Sequence, residues 1–470
     1  MKKAAPVDYV RVCSTYGTGY WFLPGTDICL RISGYMRADY LYLEPGRSDF
    51  DATGFRARGR LNFDFRQPTE YGLLRAFIRY EVTRNTGAFL GSGQSVLGSG
   101  TFFGAGGASS VDIPLGYVQF GGFTAGRVQS FFDFWANDDI YTTLLGVSDL
   151  KTQTFAYTAT FGSGWSATIA IEDPNERKSL ANVVDTAFGA SIFGPAFVPV
   201  DALDPTPQAL TSGGTRAPDV LGILRVDQAW GSAQLAAAAH EIRAGNLVGV
   251  NALGNTVAVL PGAAGGLTDV DTVDSEWGYA IQGGVKFNLP MIAAGDQLWL
   301  QAAYANGAPG YTHAAPFTTA RAGTFRLNAT EGVIDPLTGD VEKTESWSVS
   351  GKLLHYWLPN LRSNFFAAYS ELDYSDVGRR AFVDPISGLV VNAGFVDLKI
   401  IEAGANLIWS PVKGLDIGVE GVYRKFETNG NVAPAFGPTI TAGGVGDRNF
   451  FQATDNQDAW EARLRVQRDF

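Results

Sequence analysis

The side chains of residues 55–66, FRARGRLNFDFR, fall into two rows of opposite character. The odd positions carry Phe, Ala, Gly and Leu, whereas the even positions carry four arginines together with Asn and Asp. Because successive side chains of a β-strand point to opposite faces, this stretch predicts a strand with one apolar face and one basic face. Such a strand also fits the solvated sheet of a soluble sandwich, so the rest of the chain has to distinguish the two folds.

The same alternation recurs in sixteen segments, which are separated by short and long connections in turn. The short connections, such as PTEY and LPNL, are tight turns, whereas the long ones are rich in Gly, Pro and Asp. One end of the sheet therefore has short connections, which we call the trimmed end, and the other has long ones, which we call the elaborated end. This arrangement is typical of an outer-membrane barrel. An even strand number also places both chain ends at the trimmed end, as barrel closure requires. The segments lie near 28–44, 54–67, 71–84, 112–121, 122–129, 151–162, 165–173, 219–230, 232–244, 276–289, 296–305, 344–358, 361–374, 394–410, 414–428 and 458–470.

Size and composition agree with a single all-β domain over residues 1–470. The chain has 57 Gly and 13% aromatic residues, which suits many strands and turns. No stretch approaches the ~18 consecutive apolar residues of a transmembrane helix. The net charge of −11 argues against nucleic acid as a partner, because phosphate contacts need an excess of Lys and Arg. We therefore predict a 16-stranded antiparallel transmembrane β-barrel over 28–470, preceded by a periplasmic-side segment, 1–27.

Two cysteines, Cys13 and Cys29, close a short loop of a size that suits a disulfide. In the chain-entropy model, closing a loop of ~15 residues stabilises a protein by about 3 kcal/mol. There is no neighbouring His or second Cys pair that would make a zinc site. The sequence therefore predicts a disulfide and an oxidising compartment. The opening MKKAAPVDYV lacks the apolar run of a secretory signal, and the cysteines favour a signal that has been removed over a protein that stays inside the cell.

The last segment, AWEARLRVQRDF, ends on an aromatic residue of its apolar row, Phe470. A chain that ends in this way resembles the C-terminal signal read by the outer-membrane assembly machinery. Trp and Tyr also cluster toward the ends of the predicted strands, where their amphipathic rings suit a membrane headgroup region. These features favour a barrel in the outer membrane of a Gram-negative bacterium.

Two longer stretches resemble a known family. VDYVRVCSTYGTGYWFLPGTDICLRISGYMR (7–37) and GYVQFGGFTAGRVQSFFDF (116–134) are similar to the general porins of alphaproteobacteria, the rhizobial and Brucella-type family. The resemblance implies a homotrimer in the outer membrane that lets small hydrophilic solutes diffuse passively. It also implies that the third external loop folds into the lumen as a constriction. The expected partners are membrane lipid and lipopolysaccharide, further copies of the chain and the assembly machinery.

Eight arginines of the first three segments share the polar rows of their strands. A charged side chain that faces lipid at the midplane of a barrel costs about 2–4 kcal/mol, so these rows are expected to face the lumen. Adjacent strands lie about 5 Å apart, which would join the arginines into a basic wall. The arginines assigned to this wall of the constriction are Arg31, Arg37, Arg56, Arg58, Arg60, Arg66, Arg75 and Arg79.

The loop SFFDFWANDDIYTTLLGVSDL (130–150) contains acidic residues and no basic one. We expect this constriction loop to bend inward and set its carboxylates against the basic wall, with the aromatic residues of 131–135 as anchors. The alternative is an ordinary acidic surface loop. The acidic residues assigned to the constriction are Asp133, Asp138, Asp139 and Asp149.

These observations favour a non-specific diffusion channel for ions and small hydrophilic solutes. The alternative on the same fold is a substrate-selective channel for a sugar, phosphate or carboxylate. An enzyme ranks third, because the three His are scattered, HEIR (240–243) lacks the second His of a metalloprotease, and no phosphate-binding or nucleophile motif is present. No cofactor or metal is expected. Ion preference stays open, since the net acidity favours cations and the lumenal arginines favour anions.

Overall fold

A computed structural model gives the fold, and it describes residues 11–44, 51–90, 107–179, 208–210, 213–250, 254, 256–259, 268–313, 330–335, 338–379, 381–383, 390–392, 397–429, 440–441, 444–445 and 456–470. Within these residues one sheet has seventeen strands, of which one is the two-residue strand Trp21–Phe22. The other sixteen each pair antiparallel with the next along the chain, and the last pairs with the first through the register Tyr35↔Asp469 to Leu43↔Glu461. The sheet is therefore closed, which confirms the predicted sixteen-stranded antiparallel barrel.

The strand bounds follow the predicted segments closely, including the short fifth strand. The barrel strands are β1 Cys29–Leu43, β2 Thr53–Thr69, β3 Gly72–Thr86, β4 Gly107–Phe120, β5 Phe123–Gln129, β6 Lys151–Gly162, β7 Trp165–Glu172, β8 Asp219–Gln228, β9 Gly231–Ile242, β10 Glu276–Asn288, β11 Gln297–Asn306, β12 Glu345–Leu358, β13 Leu361–Asp373, β14 Asp397–Val412, β15 Leu415–Asn429 and β16 Asn456–Asp469.

The connections differ in length at the two ends of the barrel. Six of the seven short connections have two residues, and the seventh, between β10 and β11, is 289–296. In the turn between β6 and β7, Ser163 and Gly164 both have positive φ, as a two-residue type I′ hairpin requires. The other end carries the long connections, so the trimmed and elaborated ends predicted from the sequence are confirmed.

The N-terminal segment and the long connections contain short elements of their own. No helix within the described ranges is long and apolar enough to cross a membrane. The 3₁₀ helices are Ser14–Tyr16, Gly87–Leu90, Pro174–Glu176 and Pro309–Tyr311, and the short strands are Gln208–Ala209, Leu247–Val250, Thr256–Val259, Thr268–Thr272, Gly332–Ile334, Val341–Lys343, Ala381–Val383, Val390–Asn392, Ile440–Thr441 and Gly444–Val445.

Exposure alternates along the barrel strands in the way that the sequence rows predict. In β7, Ile169 is 63% exposed and its neighbour Ala170 only 2%. In β2, Phe55 and Leu61 of the apolar row are exposed, whereas Asp64 of the polar row is buried. The convex surface of the closed sheet is thus lined by large apolar side chains, and the concave surface by polar or small ones. This is the partition that a barrel in hydrocarbon needs.

The described N-terminal segment, 11–28, and Phe470 both contact β1, one of the two strands at which the barrel closes. Cys13 and Cys29 form a disulfide that ties the N-terminal segment to the start of β1, which confirms the predicted pairing. The Tyr20 hydroxyl of the same segment donates to Asp64 on β2 at 2.7 Å. At the other end of the chain, Phe470 exchanges two backbone hydrogen bonds with Gly34 of β1. The last residue therefore takes part in barrel closure.

Replacing both cysteines by serine is expected to release the N-terminal segment and leave the barrel intact. The stabilisation lost with the disulfide should be about 3 kcal/mol for a loop of this length, because the reduced chain regains conformational freedom when it unfolds. The release of the segment is measured by the rate of chymotrypsin cleavage after Tyr16 and Tyr20 in the folded, detergent-solubilised protein, which should be faster in the variant. Cleavage of C13S/C29S at the wild-type rate would contradict the expectation, and heat-dependent migration in gels controls for an intact barrel.

Candidate functional site: the arginine face and the loop 130–150

The predicted basic residues lie on the polar rows of β1, β2 and β3, where carboxylates of the same rows pair with several of them. Asp64 accepts hydrogen bonds from Arg66 at 2.9 Å and from Arg75 at 2.8 Å. We call the eight predicted arginines on these three strands the arginine face. Residues 56 and 66 of β2 lie about 34 Å apart along the strand at 3.4 Å per residue, so this face is a stripe along the strands and not a ring at one level.

Glu81 of β3 organises the middle of the arginine face. Its carboxylate pairs with Arg60 and lies 3.3 Å from the Arg58 guanidinium. Arg58 and Arg60 both keep 23% of their side chains exposed, although Glu81 itself is largely buried. The arginines at this level are therefore held in place and still reach water.

The loop 130–150 contacts the polar rows of a different set of strands. Side-chain amides of Gln234, Gln282 and Gln301, on β9, β10 and β11, hydrogen-bond to the backbone of the loop at residues 131–135. On β12, Lys352 donates to the Asp138 carbonyl at 3.0 Å and to the Asp139 carboxylate at 2.9 Å.

The same path continues over the next four strands. On β13 and β14, Asn364 and Asn406 donate to the Asp139 carbonyl at 3.0 and 3.2 Å. On β15, Glu420 accepts from the backbone N–H groups of residues 141 and 142, each at 2.7 Å, and Arg463 of β16 donates to the carbonyl of residue 141. Eight consecutive strands, β9 to β16, thus each offer at least one polar side chain to the loop, and we call the eight residues named above the polar track.

Apolar packing holds the loop against the same strands. Phe132 is fully buried in a cluster with small residues such as Ala236 and Ala280 of β9 and β10. Trp135 and Leu144 pack in a second cluster with Phe366 of β13. Because these strands present alanine where the loop packs, the aromatic anchors predicted from the sequence have a surface that fits them.

The base of the loop is tied together by a buried ion pair. Arg177, which follows β7, lies 3.2 Å from the Asp133 carboxylate and donates to the Ser148 hydroxyl at 3.0 Å. The Arg177 guanidinium also stacks on the Tyr311 ring at 3.9 Å. Burial opposes the charge of this guanidinium and is the largest single influence, but Asp133, Tyr311 and Glu172 together outweigh it and raise the pKa of Arg177. Asp133 therefore has a structural partner and does not face water.

The other predicted carboxylates are less enclosed. Asp139 keeps 54% of its side chain exposed while it pairs with Lys352. Burial and the adjacent Asp139 charge raise the pKa of Asp138 above its usual value. Burial likewise raises the pKa of Asp149, against the opposing charge of Lys151. On acidification, Asp138 and Asp149 should take up protons at a higher pH than a free aspartate does.

The structure therefore separates the two predicted sets of residues. In the described part of the chain, the ion pairs of the four loop aspartates involve Arg177, Lys151 and Lys352, and none joins them to the arginine face. The polar track and Arg177 are functional candidates that sequence reasoning missed. The signal in the sequence that could have pointed to the polar track is that Gln234, Lys352 and Glu420 fall on the inward rows of their strands.

Replacing Glu420 by alanine is expected to free the tip of the loop. Two buried N–H groups would lose their acceptor, at about 1–3 kcal/mol each. Single-channel recordings should then show increased open-channel current noise. Glu420→Gln is the matched control because it keeps a carbonyl acceptor, and it should be quieter than Glu420→Ala. Equal noise in both variants and the native protein would rule out this role for the carboxylate.

Together, the closed sheet, its apolar convex surface and its polar concave surface define the class of membrane-spanning β-barrels of the outer-membrane type. The sequence profile of the porin subfamily matches residues 1–461, and the chain belongs to this family. The resemblance seen in 7–37 and 116–134 is thereby confirmed.

Individual relatives agree with this assignment. The chain is 33% identical to porin Omp2a of Brucella melitensis biotype 1 over 177 residues, which are 36% of this chain and 48% of that protein. It is 33% identical to porin Omp2b of the same organism over 178 residues, 36% of this chain and 46% of that protein. The chain thus spans about half the length of the curated relatives it matches. Among solved structures, the outer membrane channel DcaP of Acinetobacter baumannii has a TM-score of 0.58 at 16% identity, over 96% of this chain and 99% of that one, which shows the shared fold.

Proposed function

We propose that the protein is an outer-membrane porin, a water-filled channel for passive diffusion of ions and small hydrophilic solutes. The observation that most strongly supports this proposal is the polar track, because a loop that contacts the concave rows of eight consecutive strands fits inside the barrel. Membership in the porin subfamily supports a channel over an enzyme. A sixteen-stranded barrel is also wide enough to leave an aqueous path beside such a loop.

The open path runs along the arginine face. The polar row is buried where the loop covers it, as at Lys352 and Asn364, but it stays partly exposed at Arg58 and Arg60. The constriction is accordingly bounded by the arginine face on one side and the loop on the other. Asp139, which keeps 54% of its side chain exposed, is the loop carboxylate that we assign to this path. Charges of opposite sign on the two sides order water across the gap, so polar solutes pass and apolar ones are disfavoured.

The assembled state is part of the same proposal. The convex surface carries exposed apolar side chains around the barrel, which suits membrane lipid, lipopolysaccharide and neighbouring copies of the chain. The proposed assembly is a homotrimer. Phe470, exposed at the closing seam, serves as the signal for the outer-membrane assembly machinery, and the segment before β1 lies on the periplasmic side.

Reconstitution tests this function. In planar bilayers the purified protein should give stepwise, ohmic conductance increases in potassium chloride. In liposomes it should allow swelling in neutral sugars at rates that fall steeply with sugar size. A folded barrel that produces no conductance would overturn the proposal.

A further inference from the structure

Four arginines and one tyrosine form a compact cluster in the middle of the arginine face. Tyr35 of β1 lies directly across from Arg60 of β2, and Arg37 lies directly across from Arg58. The guanidinium carbons of Arg37 and Arg60 lie 4.4 and 4.5 Å from the centroid of the Tyr35 ring. Arg79 of β3 adjoins them, since it lies across from Asn62, two positions along β2 from Arg60. We call Tyr35, Arg37, Arg58, Arg60 and Arg79 the Tyr35 cluster.

Positive charge is in excess in the Tyr35 cluster. Arg58 and Arg60 share one carboxylate, that of Glu81. Arg37 donates to the neutral amide of Gln467 at 2.8 Å, and Arg79 donates to the neutral amide of Asn62 at 2.8 Å. Within the described residues, neither Arg37 nor Arg79 has a carboxylate within ion-pair distance.

The acidic residues on the neighbouring rows are already engaged. Asp39 is paired with Arg465 at 2.6 Å, and Asp469 accepts a hydrogen bond from Gln467 at 2.8 Å. Like charges placed across from each other, as at Arg37 and Arg58, destabilise a sheet pair unless another group compensates them. The excess charge of the cluster is therefore not explained by pairing within the barrel wall.

The tyrosine supplies a second, independent observation. Tyr35 is only 5% exposed, and among the described residues its buried hydroxyl has no hydrogen-bond partner. A buried hydroxyl left unpaired costs about 1–3 kcal/mol, which a ligand that accepts its hydrogen bond would recover. The Tyr35 hydroxyl and the neighbouring guanidinium groups are all hydrogen-bond donors, so together they lack an acceptor.

We propose that the Tyr35 cluster is a saturable binding site for small oxyanions, such as sulfate, phosphate or a carboxylate solute, on the path through the barrel. The Tyr35 hydroxyl and the free N–H groups of Arg37 and Arg79 donate to the anion. The positive charges of Arg58 and Arg60 add electrostatic attraction. Arginine suits this role because its planar fork matches carboxylate and phosphate oxygens. The site deepens the proposed channel function and rests on it for its access to solutes.

Calorimetric titration of the detergent-solubilised barrel with sodium sulfate, at constant ionic strength in chloride, tests the binding directly. Saturation in the millimolar range is expected for the native protein. Tyr35→Phe removes only the hydroxyl and should raise the dissociation constant about tenfold, as for a lost hydrogen bond to a charged group. Arg79→Gln should raise it at least as much. Arg84→Gln, an arginine on the outward row of β3, is the matched control and should bind like the native protein.

Bilayer recordings distinguish a failure of the proposed anion site from a failure of the proposed channel function. Added sulfate should reduce the chloride current with saturation in the native channel, and Tyr35→Phe should shift the half-blocking concentration by the same factor. A conducting channel that shows neither saturable binding nor saturable block would overturn the site and leave the porin function standing. Sulfate binding that is equally strong in Tyr35→Phe and Arg79→Gln would place the anion elsewhere. A folded barrel without any conductance would instead overturn the porin function, whatever the titration gives.

Discussion

Removing the loop between Ser130 and Leu150 is expected to raise the single-channel conductance about twofold or more, because conductance follows the open cross-section of the pore. The chain can be rejoined without strain on the barrel. Ser130 donates a backbone hydrogen bond to the Leu150 carbonyl at 2.8 Å, and Gln129 pairs with Lys151 at the adjoining ends of β5 and β6. An Asn-Gly dipeptide in place of residues 131–149 would therefore close a normal hairpin.

The strands beneath the loop should tolerate its removal because the polar track can hydrogen-bond to water. Liposome swelling should accordingly admit larger sugars in the shortened variant. A variant whose barrel is intact by heat-dependent migration but whose conductance is unchanged would show that the loop does not narrow the pore. The Glu420→Ala variant, which keeps the full loop, provides the comparison for loosening without removal.

Neutralising three arginines of β2 in the variant R56Q/R58Q/R60Q is expected to shift ion selectivity toward cations. At about 7 Å in water, each charge contributes about 0.6 kcal/mol before screening. Screening at 0.1 M salt about halves this contribution, and an anion and a cation are affected in opposite senses, so the ratio of anion to cation permeability should fall about twentyfold. The fall should be much smaller at 1 M, where the Debye length is only about 3 Å. Glu81 would also lose its two guanidinium partners, which adds negative charge to the same face.

The reversal potential under a salt gradient measures this shift. A matched control replaces Arg84 and Arg468, which lie on the outward rows of β3 and β16, by glutamine. The control should keep the native reversal potential. An unchanged value in the triple variant would place these arginines away from the path of ions.

The barrel strands could be predicted from the sequence because lipid and water impose a period of two on every strand. The rule even identified β5, Phe123–Gln129, which has only seven residues. It also assigned Arg58 and Arg60 to the polar row, because a guanidinium that faces lipid near the midplane of the membrane costs about 2–4 kcal/mol. The disulfide was predictable because Cys13 and Cys29 are the two cysteines of the chain.

The contacts of the loop could not be predicted, because they join residues far apart in the sequence. Trp135 and Gln301 are 166 positions apart, and Tyr141 and Glu420 are 279 positions apart. A polar row on its own shows that a side chain faces the concave surface, but not whether water or a loop covers it. For the same reason the sequence could not show that Asp133 is buried by Arg177 while Asp139 stays exposed.

Cysteine accessibility at two adjacent residues of β2 tests most directly whether the arginine face lines the aqueous path. The described cysteines, Cys13 and Cys29, are joined to each other, so an introduced thiol is the reactive one. Treating Arg58→Cys in a bilayer with a charged, water-soluble thiol reagent should lower the single-channel current in one step per subunit. The same treatment of Ala57→Cys, on the outward row, should leave the current unchanged. Modification of position 57 in place of position 58 would contradict the account.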